Sequence, residues 1–360
     1  MTLSTPLLAA APLLAGLMGT VLLGAAPGPR QADLPVQAAR TSQIVEHVAA
    51  GTTAEERRVL DYWTQERMAR ALPIGLLDLV TGRDGLLGRL VGRTRPLAAP
   101  GVSRVSPVSG TNAALPRDLA APRHQAAARP DASTVGSRWA TGGAVARTTG
   151  RVFLTVGGAD FVCSASTVRS ANKDLVVTAG HCVKDGTGGW AANWTFVPGY
   201  GTDGPHPYGR YPARRMFVAG PWSSSADDDY DIGMVALGTS RGRHVADVVG
   251  TQEIAFNAPR GGQAFGFGYP ADPPYDGGDL VYCAGRLAND PYGETRDQGL
   301  GCDMTAGSSG GPWMTGFDGV TGKGTITSLS SFKYSGDRRT MYGPYLGDAA
   351  KALYDAAGRA

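Results

Sequence analysis

The stretch Cys302-Asp303-Met304-Thr305-Ala306-Gly307-Ser308-Ser309-Gly310-Gly311-Pro312-Trp313 sets a serine among glycines. A serine hydroxyl is a weak nucleophile. It needs a neighbouring base, and the oxyanion it creates needs backbone N–H donors. A tight glycine turn meets the second need, because Gly307 has no Cβ and the N–H groups of Gly307 and Ser309 can face one oxygen. Gly310 and Gly311 are expected to keep side chains away from a reacting carbonyl. Taken alone, the stretch also fits an ordinary Gly/Ser-rich loop. Two upstream segments supply the missing chemistry. Val176-Val177-Thr178-Ala179-Gly180-His181-Cys182 is an apolar strand ending at a histidine. Asp229-Tyr230-Asp231-Ile232-Gly233-Met234-Val235 puts acids at the mouth of another apolar strand. In chain order, His181, Asp231 and Ser309 offer a base, its orienter and a nucleophile.

Thr178-Ala179-Gly180-His181-Cys182 and Gly307-Ser308-Ser309-Gly310-Gly311-Pro312, in this order and separation, resemble the chymotrypsin-like (trypsin-like) serine peptidases. The resemblance covers about the last 220 residues and points to the secreted bacterial branch similar to glutamyl endopeptidases. It implies an all-β fold of two packed antiparallel β-barrels with a C-terminal helix. His181 and Asp231 would come from the first barrel and Ser309 from the second, across a cleft. It implies catalysis by His181, Asp231 and Ser309, with Gly307 and Ser309 forming the oxyanion hole. Substrates would be proteins or peptides, with neither a cofactor nor a metal required. Asp231 is preferred over Asp227, Asp228 and Asp229 because it enters Ile232-Gly233-Met234-Val235 as the family's aspartate does. The other three acids read as a solvated loop, with a calcium site there left open.

Four cysteines permit three pairings. The resemblance implies a bridge tying the histidine loop to the preceding strand, hence Cys163–Cys182, and the same local pattern gives Cys283–Cys302. Cysteines held by a metal are disfavoured, since no Cys-x-x-Cys or further histidine cluster accompanies them. The sequence departs from the animal members in two ways. Ser308 precedes the nucleophile where many of them carry an aspartate, and no Ile-Val-Gly-Gly-like start is present. Activation by leader removal is therefore expected. Asp303 lies six residues before Ser309, where trypsin-like members place the acidic floor of the specificity pocket. That would favour a basic substrate residue, while a structural aspartate accepting hydrogen bonds is the alternative. No histidine occurs from Thr325 to Tyr334, so nothing supports a glutamate-specific pocket.

The elements that must position these residues begin with an almost wholly apolar run at 6–26, read as a secretory signal within residues 1–26. A membrane anchor is the rival reading of that run, although nothing before Arg30 is basic. Residues 27–92 read as a helical pro-segment. Thr53-Ala54-Glu55-Glu56 starts with a threonine cap and an acidic first turn, and Trp63, Met68 and Leu72 recur at near-helical spacing before Pro73. Tyr62-Trp63-Thr64 with Glu66-Arg67-Met68 resembles the leader region of secreted bacterial peptidases of this group. A small helical domain or partner-binding segment is the plainer reading. Residues 93–147, rich in Ala, Pro, Arg, Ser and Gly, read as a flexible connector holding a bystander His124. The peptidase-like region spans 148–360. Its first barrel is expected at about 148–240, the second at about 250–346 and the closing helix at 348–357.

Composition narrows the alternatives. A net charge of +3 over 360 residues is too small to suggest nucleic acid. Paired cysteines imply an oxidising compartment, so the mature protein is expected to be secreted and extracellular, with no stable membrane association once the signal is gone. An α/β-hydrolase would also use Gly-x-Ser-x-Gly, but in the order serine, acid, histidine. A non-catalytic binding module on a peptidase scaffold is the closer rival, and the complete set His181, Asp231 and Ser309 argues against it. His206 and His244 read as surface residues.

Overall fold

Apolar strands of four to nine residues, punctuated by Gly and Asp turns, leave their edges to be satisfied by pairing. The computed structural model describes residues 43–75, 130–201 and 206–360. The expected signal, its cleavage site, most of the connector and His124 lie outside them. Among the described residues no helix is long and apolar enough to cross a membrane.

The segment 43–75 forms β1 (Ile44–Val48), α1 (Thr53–Tyr62), α2 (Gln65–Arg70) and β2 (Leu72–Pro73). After β3 (Thr134–Arg138) come β4 (Thr149–Val156), β5 (Ala159–Thr167) and β6 (Leu175–Thr178). They are followed by β7 (Ala192–Pro198), β8 (Tyr211–Ala219) and β9 (Gly233–Leu237). Strands β4 to β9 close into a six-stranded antiparallel barrel. β4 pairs with β5 and β7, β5 with β6, β6 with β9, β9 with β8, and β8 with β7. Strand alternation sorts the side chains into two sets. Val152, Leu154, Phe161 and Cys163 belong to the main core, whereas Phe153, Val162 and Val197 pack with Trp63 and Met68 of the N-terminal segment. Every residue of β4 is therefore buried. A strand open to water on one side would not be.

The second half contributes β10 (Glu253–Ile254), β11 (Gln263–Gly268), β12 (Val281–Arg286), β13 (Ala288–Asn289) and β14 (Gln298–Gly301). β15 (Pro312–Asp318), β16 (Lys323–Leu329) and β17 (Thr340–Gly343) complete it. They form a six-stranded sheet in the order β10-β16-β15-β11-β12-β3 and a three-stranded sheet β13-β14-β17. The C-terminal helix Asp348–Ala357 buries Ala350, Leu353 and Ala357. The amide of Asn172 in the first half donates to the carbonyls of Ala357 and Ala360 at 2.8 and 3.0 Å, pinning the end of that helix to the first barrel.

Three local expectations change. Residues 44–48, read as helical, are a strand, because β1 finds the edge of β8 with Ile44 opposite Ala219 and Val48 opposite Arg215. The helix over 53–62 is present, but its cap is Thr52. The hydroxyl of Thr52 accepts from Glu55 N–H while the Glu55 carboxylate reaches back to Thr52 N–H. Residues 134–138, assigned to the connector, are strand β3 on β12, with the Val135 carbonyl also accepting from Asp303 N–H. Their weak periodicity hid a strand that exists only because β12 offers an edge.

Candidate active site

His181 lies in the 3-10 turn Gly180–Cys182 that ends strand β6. Asp231 follows the turn Asp228–Tyr230 just before β9. Because β6 and β9 are neighbours, with Thr178 opposite Gly233, the two turns leave the barrel side by side. His181 Nδ1 is 2.8 Å from Asp231 Oδ2, and His181 N–H donates to Asp231 Oδ1 at 2.7 Å. The Ser331 hydroxyl donates to Asp231 Oδ2 at 2.5 Å. Asp231 is fully buried, which by itself pushes its carboxyl up. The His181 ring, then the hydrogen bonds from His181 and Ser331, outweigh that and hold it below its ordinary value. An aspartate kept ionised against the Nδ1 side of a histidine fixes the ring's tautomer and leaves Nε2 as the basic nitrogen.

Two buried tryptophans hold the histidine loop from behind. Trp194 Nε1 donates to the Cys182 carbonyl at 2.8 Å and Trp222 Nε1 to the Lys184 carbonyl at 2.9 Å. Cys163 and Cys182 are joined, tying that loop to β5, and Cys283 and Cys302 are joined in the second half. These are the pairings the resemblance implied.

Ser309 arrives from the other half on the turn between β14 and β15. Its carbonyl accepts Ser164 N–H at 2.7 Å, and Cys182 Sγ lies 3.7 Å from the same oxygen. The nucleophile candidate is thus docked onto β5 and onto the disulfide that ties the His181 loop to β5. Ser309 Oγ and His181 Nε2 are both buried, and among the described residues neither has a hydrogen-bond partner. No hydrogen bond joins the two. Gly307 sits at φ +95°, as the tight turn requires. Its carbonyl accepts the Ser164 hydroxyl at 2.9 Å, and the Ala306 carbonyl, which shares a peptide with Gly307 N–H, accepts Ala271 N–H at 2.7 Å. Among the described residues, the N–H groups of Gly307 and Ser309 donate to no backbone carbonyl. Ser308 Oγ instead donates to the Thr305 carbonyl at 2.8 Å, closing the turn from within.

Gly310 and Gly311 have a different reason from the one read in the sequence. A Cβ on Gly310, at φ +79°, would lie 2.1 Å from Thr178 Oγ1 and 2.4 Å from the Ser164 carbonyl. On Gly311 it would lie 1.9 Å from the Phe267 carbonyl. They let the serine turn approach the first barrel and its own sheet, so they act on the protein side of the cleft.

The neighbouring acids divide as expected in one respect. Asp229 takes Arg296 N–H and Nε, both at 2.6 Å, and Asp227 caps Asp229 N–H, so only Asp231 faces His181. They are less solvated than the sequence implied. Burial, followed by the charges of Asp231, Asp227 and Asp229, raises Asp228 to about 7. Asp297 is 1 % exposed, and burial pushes it well above the carboxylate range. Asp303 accepts the Tyr275 hydroxyl on Oδ1 at 2.6 Å and packs against Gly136 of β3. Lys333 is buried nearby with Nζ donating to the Cys302 and Arg338 carbonyls, both at 2.6 Å, and burial lowers its pKa to about 8.

His244 Nδ1 bonds Asp174, and His206 stacks on Tyr200, so neither belongs to the site. Among the described residues, one group of three metal-type ligands converges, Cys163, His181 and Cys182. Both of its sulfurs are spent in a disulfide. Ser331 and Ser164 are the functional residues that the sequence reading missed. Ser164 is one of two serines in β5 and Ser331 one of three serines at and just past the end of β16, with no signal to single either out before the strands are paired.

A family model described as Trypsin matches residues 140–345. Among solved structures, the protease Anisep from Arthrobacter nicotinovorans is 39% identical, with a TM-score of 0.58, and all of it aligns with 63% of this chain. The thermostable serine protease AL20 from an extremophilic microorganism is 40% identical, with a TM-score of 0.57, and 99% of it aligns with 60% of this chain. A Glu endopeptidase, 18% identical with a TM-score of 0.50, shares the fold. A curated relative, the extracellular metalloprotease of Bacillus subtilis (strain 168), is 34% identical over 104 residues. The matched part is a third of that relative's length and 29% of this chain. With the family match covering more than half of the residues and resting on the strands that carry His181, Asp231 and Ser309, the chain belongs to the trypsin-like family of chymotrypsin-fold serine proteases.

Proposed function

We propose that the protein is a secreted serine endopeptidase, made with a leader and working through His181, Asp231 and Ser309. The observation that carries this reading is the buried Asp231, bonded at once to His181 Nδ1, His181 N–H and Ser331 Oγ. A structural histidine would not need its ring oriented so that Nε2 is left basic and unpartnered. In the reaction, Ser309 Oγ attacks the scissile carbonyl while His181 Nε2 takes its proton. The oxyanion is received by the N–H groups of Gly307 and Ser309. His181⁺, stabilised by Asp231, then protonates the leaving amine, and water repeats the sequence on the acyl-enzyme. Secretion is supported by the apolar start, the two disulfides and the extracellular relative. The test is a peptide-library cleavage profile of the protein and of Ser309→Ala. Hydrolysis should fall by about 10⁴-fold or more in the variant. Undiminished turnover would contradict the assignment.

A basic residue at the cleavage position is a second reading, favoured by Asp303. Among the described residues only its Oδ1 is bonded, which leaves Oδ2 for a guanidinium. The nearby Lys333 ammonium works against it. If Asp303 reads the substrate, Asp303→Asn should lower kcat/KM for Arg and Lys substrates by at least about tenfold relative to Leu or Phe. Equal loss for all substrates would assign Asp303 to holding Tyr275 and β3.

A further inference from the structure

The first barrel closes without the segment 43–75, yet that segment occupies the two places where its strands lack a neighbour. β8 gives residues 211–212 to β7, and β1 takes the same side of the strand further along, at 215–219. β5 gives residues 166–167 to β6, and β2 pairs in parallel with residues 161–162. Between these strands, Trp63 is 1 % exposed, donates Nε1–H to the Asn193 carbonyl at 2.5 Å and packs against Phe153. Polar contacts fasten the rim. Arg210 Nη1 donates to the Leu60 and Trp63 carbonyls at 3.1 and 2.7 Å, and Tyr62 and Arg67 both bond Asp160. Among the described residues, no hydrogen bond, ion pair or ring contact joins this segment to His181, Asp231 or Ser309.

We infer that the outer face of the first barrel is a binding surface whose partner is the chain's own segment 43–75, held as a separable clasp. Strand addition supplies backbone hydrogen bonds along two edges, and Trp63 is the anchor in a preformed apolar socket. The contact protects edges that would otherwise invite pairing with another chain. It assists assembly of a barrel rich in long-range pairings rather than plugging the cleft. The solved relatives, 99–100% of whose chains align with 60–63% of this one, are consistent with a catalytic part that stands once the clasp has gone. The inference rests on the leader reading given above.

The test uses the full chain carrying Ser309→Ala and a site for an added sequence-specific protease within residues 76–129. After cutting, size-exclusion chromatography and native mass spectrometry should find residues 43–75 still bound. Trp63→Ala should weaken retention by at least about 30-fold. The same cut chain with Ser309 intact should react with a fluorophosphonate at the same rate, within about twofold, before and after the clasp is washed off at mild denaturant. Immediate loss of the segment, retention indifferent to Trp63→Ala, or a rise in labelling of tenfold or more on release would each overturn the inference. Absence of labelling in both states would count against the serine-peptidase reading while leaving the retention result standing.

Discussion

Around Asp231 the protein holds more negative charge than the reaction requires. Asp231 is stabilised as an anion by His181 and Ser331, but the half-buried Asp228 beside it has no such partner among the described residues. Its carboxyl is lifted from an ordinary value of 3.8 to about 7 by burial, then by Asp231, Asp227 and Asp229. Between those two values the folded chain holds a proton that the unfolded chain has released. This group therefore subtracts stability as pH rises from about 4 to about 7. Asp228→Asn should remove the loss. In a Ser309→Ala background, calorimetry should find its Tm above the parent's by a few degrees, roughly 2–4 °C per kcal/mol, at pH 8. The two Tm values should agree at pH 4. A difference independent of pH would mean that Asp228 acts through packing. At this scale His181, Asp231 and Ser309 were legible because strand ends and a glycine turn mark them locally. Ser331 was not, since Ser328, Ser330 and Ser331 stand almost together and only the fold shows which one meets Asp231.

At the scale of elements, the turn carrying Ser309 depends on how closely it can approach β6. Gly310 meets that need twice, through its φ of +79° and through the space that Thr178 Oγ1 and the Ser164 carbonyl leave. Gly310→Ala adds both backbone strain and overpacking. It should destabilise the protein by about 3 kcal/mol, with activity reduced at least as strongly. Urea unfolding of the variant in the Ser309→Ala background measures the first quantity. A midpoint shift worth less than about 0.5 kcal/mol would show that the turn can retreat at little cost. Strands β6 and β9 were visible as apolar runs leading into or out of the residues that carry the chemistry. β1 and β3 were not: their side chains carry a weak pattern, and their conformation is set by the edges of β8 and β12, which lie far away in sequence. The helix over 53–62 was legible because its cap and acidic first turn are local.

Taken whole, the molecule is a closed barrel and a second sheet system that meet at the serine turn, with the N-terminal segment 43–75 packed on the outside of the barrel. Both disulfides span 19 residues and lie within one half each, so neither cross-links the halves. Hydrogen bonds join the halves instead, among them those of Ser164, whose N–H donates to the Ser309 carbonyl and whose hydroxyl donates to the Gly307 carbonyl. Replacing Cys163 and Cys182 together by alanine should cost about 3 kcal/mol by the chain-entropy account and loosen the histidine loop. Activity should then fall more steeply than the folded fraction does, as circular dichroism and turnover measured on one sample would show. The central claim is that this architecture makes one serine nucleophilic. Its most direct measurement is the site of fluorophosphonate attachment, mapped by peptide mass spectrometry on the native protein. The account predicts a single adduct on Ser309, no labelling of protein unfolded before the reagent is added, and a labelling rate reduced by at least about 10³-fold in His181→Ala. Labelling on Ser308, or on Ser309 at a rate unaffected by His181→Ala, would contradict it.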